Sequence, residues 1–187
     1  MLLNPRTEFE LAVRLREPDG VEVGELFSFL SQLYFRGKLT YARAFASAEI
    51  ESSIRVITAD RGLVGPATRL RREDLEQFCR VDISSGDPRF IDPLRRDAVA
   101  LSATLARDAN VVLLGSIATG KYVDTLLDVF GTRLVFPSEF VGRGDMSRGG
   151  LLLRSAESRT ELAYAPVSGA IRHGKRPPKL EPIRRRR

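Results

Sequence analysis

The residues with the sharpest chemical spacing are Gly115, Ser116, Thr119, Gly120 and Lys121 in the run Gly115-Ser116-Ile117-Ala118-Thr119-Gly120-Lys121-Tyr122. Gly115, Gly120 and Lys121 fit the phosphate-loop spacing G-x-x-x-x-G-K. Small residues let a phosphate approach the backbone, and N–H groups at the start of a helix attract anions. The next residue is Tyr122, where a phosphate loop carries a serine or threonine for magnesium, and a phenol is too long to stand in its place. No apolar strand ending in aspartate follows; Leu134-Val135-Phe136 runs into Pro137. The stretch therefore reads as an anion site of another kind, as a structural turn with Thr119 as N-cap, or as a divergent P-loop NTPase.

Three further groups can do chemistry. Asp60 follows a short strand and is placed for general-base work or for a ribose hydroxyl; a carboxylate in a surface turn is the plain alternative. In Tyr34-Phe35-Arg36-Gly37-Lys38-Leu39-Thr40-Tyr41, Arg36 and Lys38 can clamp a phosphate while Tyr34 or Tyr41 stacks on a base. The alternative is a pair of core aromatics with solvated charges. The glycine-rich stretch 140–150 carries Arg143 and Arg148, whose guanidinium forks suit carboxylate or phosphate. It reads as a ligand loop or as a turn before a hairpin.

The single histidine, His173, and the single cysteine, Cys79, remove most other chemistry. A Ser-His-Asp triad or a histidine-based metal site within 1–170 is excluded, and no metal ligands or cofactor are singled out. No internal disulfide can form, which points to a reducing, cytoplasmic setting. No run of about 18 apolar residues predicts a membrane span, and the first residues do not read as a signal peptide. The net charge of +6 is a tail property: residues 171–187 hold eight basic residues and one acid, leaving 22 basic and 23 acidic residues in 1–170. Nucleic acid or an acidic protein is the natural partner of such a tail.

These groups need elements to position them. Alternation of Phe9, Leu11, Val13 and Leu15 with Glu10, Ala12 and Arg14 predicts a strand over 9–15. Helical spacing predicts helices over 23–33 and 39–48, broken at Gly37. A strand over 54–58 leads into the loop Ala59–Pro66. A short helix is expected over 72–78, a loop over 84–88, and a long helix from Pro93, capped by Asp92 and ending near Asn110. Val111–Leu114 reads as a buried strand, Tyr122–Phe130 as a helix stopped by Gly131, and Arg133–Phe136 as a strand ended by Pro137. Leu151–Arg154 and Glu161–Tyr164 read as a hairpin. The alternation predicts an α/β fold: a three-layer sandwich with a mostly parallel central sheet, helices on both faces and a late antiparallel hairpin. The expected domain spans 1–170, and 171–187 is a basic, extended or disordered tail. In such sheets ligands sit beyond the carboxyl ends of the strands, which selects Ala59–Pro66 and Gly115–Lys121.

Leu33-Tyr34-Phe35-Arg36, Arg61-Gly62-Leu63 and Gly120-Lys121-Tyr122 together resemble a bacterial α/β domain family of unknown function. That family is distantly similar to uracil-DNA-glycosylase-type, nucleobase-handling domains. Arg61 stands where the family carries histidine, and Leu3-Asn4-Pro5-Arg6 replaces its Ser-Cys-Ser start. The resemblance implies an α/β fold and nucleobase or nucleotide chemistry, and it assigns no catalytic residue. The expected function is nucleotide or nucleic-acid handling, with action on an N-glycosidic bond as one form of it and Asp60 as the acid/base. Non-catalytic binding of nucleic acid or an acidic partner through the arginine-rich tail is the second reading.

Overall fold

The computed structural model describes residues 1–47, 53–83, 86–178 and 180. Residues 48–52, 84–85, 179 and 181–187 lie outside the described residues, and with them the last residue of one expected helix, part of one expected loop and the four terminal arginines of the tail.

In chain order the elements are α1 (Glu10–Arg14), β1 (Val21–Glu22), α2 (Val23–Phe45), β2 (Val56–Ile57), β3 (Leu63–Val64), β4 (Arg69–Leu70), α3 (Arg72–Phe78), α4 (Pro88–Thr104), β5 (Val111–Val112), α5 (Val123–Phe130), β6 (Leu134–Pro137), α6 (Asp145–Ser158) and β7 (Tyr164–Pro166). Among the described residues there is no mostly parallel central sheet. β1 pairs with β4 and β2 with β3, both antiparallel, and β5-β6-β7 joins one parallel and one antiparallel pair. The apolar runs are strand-like, but most pair over only two residues. Sheets so small cannot form a layer for helices to cover on both faces, and the helices pack instead on one another, α2 on α6 and α4 on α5.

Residues 9–15 hold α1 rather than a strand. Leu11, Ala12 and Leu15 are buried while Val13 is 37% exposed, a helical period that the same apolar residues satisfy equally well. The late hairpin is also absent. Arg148, Gly149, Leu151, Leu152, Ser155 and Ala156 line the buried face of α6, and only β7 remains as a strand, pairing with β6. α4 begins five residues earlier than expected. Asp87 caps it by accepting the Arg89 N–H, Pro88 takes its first position, and Pro93 lies inside it.

Gly37 does not break α2. The break is at Gln32, with φ 47° and ψ −124°. Gly37 instead lies against α6, where a Cβ on it would come within 2.7 Å of the Gly149 carbonyl oxygen; one on Gly149 would meet the Leu33 carbonyl oxygen at 2.7 Å. The two helices touch backbone to backbone. α2 also serves two apolar clusters. Val23 and Leu26 join Leu11, Leu15, Val21, Leu70 and Phe78; Tyr34 and Tyr41 join Leu94, Leu113, Val123, Phe136, Phe140 and Leu152.

The crossing sets opposite outcomes for two adjacent glycines of α6. Gly149→Ala forces a methyl into the α2 backbone and is expected to cost about 1–3 kcal/mol. Gly150→Ala meets only Leu180 Cδ1 at 3.5 Å, and its gain in helix propensity is about 1 kcal/mol. Urea midpoints of the two variants should move in opposite directions.

Candidate functional site

β5 lies beside β6, and the Leu113 N–H extends that pairing to the Val135 carbonyl (2.8 Å). The chain then turns through Gly115–Tyr122. The Tyr34 hydroxyl donates to the Leu114 carbonyl (3.3 Å) and the Tyr122 hydroxyl to the Ser116 carbonyl (2.9 Å). Gly115 is glycine because Tyr122 folds over it; a Cβ there would lie 2.5 Å from the phenol oxygen. The residue that departs from the phosphate-loop pattern therefore closes the loop. Thr119 is exposed and does not cap α5, whose N-cap position is Tyr122 with no side-chain capping bond. Ser116 Oγ accepts the Ala118 N–H. The Asp124 carboxylate lies against Gly120 and pairs with Arg172 (3.0 Å). With carbonyls drawn to the phenols and a carboxylate at the helix start, the loop itself is poorly disposed to seat an anion. Lys121 is exposed beside it.

Beside this loop the α2–α6 crossing gathers a charged cluster. Tyr34 and Arg148 are each 8% exposed. Arg148 Nε and Nη2 donate to the Phe140 carbonyl (3.2 and 3.1 Å), and Nη1 reaches Asp145 Oδ1 at 3.4 Å. Lys38 Nζ sits 4.0 Å from the centre of the Tyr34 ring, a cation–π contact. Lys38 and Tyr34 are four residues apart and share a face of α2. Burial pulls the Lys38 ammonium down from 10.5 to about 8; Asp145 opposes this and Arg148 adds to it. Burial pushes the Tyr34 and Tyr122 phenols up, while Arg148 draws both down. Two cations thus face one carboxylate, and that carboxylate is 66% exposed.

The other expected residues are elsewhere or otherwise engaged. Arg36 is exposed on α2 with no partner among the described residues. Arg143 is committed to the Glu139 and Pro178 carbonyls and the Ser147 hydroxyl. Tyr41 is 1% exposed, shares a hydrogen bond with the Tyr164 hydroxyl (2.7 Å), accepts the Leu162 N–H (2.9 Å) and packs on Phe45, so its ring has no face for a base. Asp60 lies at the end of β2 in a separate hollow lined by Gln77, Arg80, Val81, Arg89 and Pro93. None of those residues belongs to the Lys38–Arg148 cluster. Arg61 pairs with Asp74. The structure therefore joins Tyr34, Lys38, Arg148 and the Gly115–Ser116 turn, and it adds Tyr122 and Asp145. The i,i+4 relation of Tyr34 and Lys38 was the available signal for choosing Lys38 over Arg36; nothing local marked Asp145 before α6 was known.

Residues 171–178 have no helix or strand. They lie against the folded part: Gly142 abuts the Lys175 carbonyl, Val141 abuts Gly174, and Leu180 packs on the second apolar cluster. No helix among the described residues is long and apolar enough to cross a membrane. Comparison with protein-family models, curated proteins and solved structures gives no match for this chain.

Lys38 makes the site sensitive to pH. Its folded-state pKa lies below the unfolded value, so between about 8 and 10.5 the unfolded chain holds a proton that the folded chain has lost. This group's contribution to stability therefore rises with pH across that window. Lys38→Met removes the burial cost and should raise Tm at pH 7. The gain over wild type should shrink as pH approaches 10, measured by thermal melts of both proteins at each pH.

Proposed function

We propose that this protein is a cytoplasmic binder of phosphate-bearing ligands, nucleotides or nucleic-acid strands, and that it takes the phosphate at the α2–α6 corner through Lys38 and Arg148. The observation that carries the reading is the charge imbalance there. Lys38 and Arg148 lie close enough for Arg148 to depress the lysine, and the one nearby carboxylate, Asp145, is largely solvated. An oxyanion between them relieves the repulsion and restores the lysine's proton affinity. Arg36 and Lys121 add long-range attraction from the surface.

Isothermal titration with pyrophosphate as probe tests it. Affinity should fall between pH 7 and 9 as Lys38 loses its proton. Lys38→Gln should lose about tenfold at pH 7, the scale of one charge-assisted contact, and its residual affinity should be flat with pH. Equal affinity in wild type and variant overturns the reading.

A second reading is favoured by the charge asymmetry of the chain, whose excess of basic residues lies in 171–187. Here the tail alone binds nucleic acid or an acidic partner. Deleting 181–187 separates the two. If the tail carries binding, a fluorescent oligothymidylate is lost while pyrophosphate titration is unchanged. If the corner carries it, the oligonucleotide still binds, with a smaller salt dependence.

A further inference from the structure

The hollow beside Asp60 is independent of the Lys38–Arg148 corner. It has a volume of about 380 Å³, opens to solvent, and is lined by Asp60, Gln77, Arg80, Val81, Arg89 and Pro93. Its chemistry is set by one unsatisfied group. Asp60 Oδ1 is buried and has no hydrogen-bond donor among the described residues. The nearest cation, Arg61 Nε, is 3.7 Å away, and that guanidinium is held by Asp74, which also accepts the Arg71 N–H (2.7 Å). A buried carboxylate oxygen without a donor is costly. Burial pushes the Asp60 carboxyl up; Arg61 opposes this and Asp74 adds to it.

The rim carries the opposite charge. Arg89 is spent on Asp87, with Nε 3.1 Å from both carboxylate oxygens. Arg80 is exposed and has no partner among the described residues. Val81 and Pro93 supply apolar surface in the same lining. The volume is at the low end for small-molecule sites and too small for a dinucleotide.

We propose that this hollow binds a small zwitterion, an aminoalkanoate whose primary ammonium pairs with Asp60 and whose carboxylate pairs with Arg80, the methylenes lying on Val81 and Pro93. The ammonium supplies a counter-charge to a carboxylate whose nearest cation is held by Asp74, and the ligand carboxylate supplies the partner that Arg80 lacks. Because the site shares no residue with the phosphate corner, either can fail without the other.

The full-length chain, titrated by ¹H–¹⁵N NMR with aminoalkanoates of graded chain length, tests the proposal. Saturable shifts at Asp60, Arg80 and Val81 are expected for at least one chain length. Butylamine and butyrate, each half of the ligand, should bind about tenfold more weakly or worse. Asp60→Asn and Arg80→Gln should each lose about tenfold in affinity. Neither variant should unfold early, since the first removes a buried unpaired charge and the second alters an exposed side chain; urea midpoints check this. No saturable shift with any aminoalkanoate at millimolar concentrations, or undiminished binding by Asp60→Asn, overturns it.

Discussion

The contact between Gly37 and Gly149 governs the C-terminal part of the structure. Two helices approach this closely only where neither carries a side chain, and here each glycine meets the other helix's backbone. The crossing places Tyr34 and Lys38 of α2 opposite Arg148 and Asp145 of α6. It also fixes Tyr34 where its hydroxyl reaches the Leu114 carbonyl and thereby the turn after β5. With only small sheets, this helix pair performs the positioning that a central sheet performs in a layered α/β protein.

The polar groups near that crossing and those near Asp60 follow one rule with different results. Arg148 is buried and holds the Phe140 carbonyl and Asp145 with three of its five N–H groups, so it is anchored and serves as a fixed charge. Lys38 has only a ring face and a distant carboxylate, and burial shifts its proton affinity. Arg61 and Asp74 satisfy each other and leave Asp60 Oδ1 with no hydrogen-bond donor, only the Arg61 charge at 3.7 Å. In both places a well-paired group stands next to an unpaired one. The unpaired members, Lys38 and Asp60, have opposite charges and would accept different ligands.

Legibility in the sequence followed the range of the determining interactions. Helix Arg72–Phe78, the strand ended by Pro137 and the helix stopped at Gly131 were readable because local residues decide them; Gly131 takes φ 56°, a conformation favouring glycine. Segments 9–15 and 151–164 were misread because their short apolar runs fit periods of two and of 3.6 alike, and the choice was made by packing against distant elements. Gly149 and Gly150 argue against a helix on propensity, yet α6 forms because α2 needs the missing side chain of Gly149. The central sheet failed as an expectation for the same reason: apolar runs can be read locally, but the extent of their pairing cannot. Of the expected site, Tyr34, Arg148 and the Gly115 turn come together. Asp60 sits in its own hollow, and the part played by Tyr122, a closing strap over Gly115, is visible only in three dimensions.

The break at Gln32 has a consequence for how the molecule comes apart. α2 is one helix by chain but contributes to two apolar clusters, Val23 and Leu26 to one and Tyr34 and Tyr41 to the other. Its two halves therefore owe their protection to different neighbours. Amides after the break should exchange with solvent in concert with α6, and those before it in concert with α1 and the β1–β4 pair, so that the kinked segment Val23–Phe45 is divided between two cooperative units of opening.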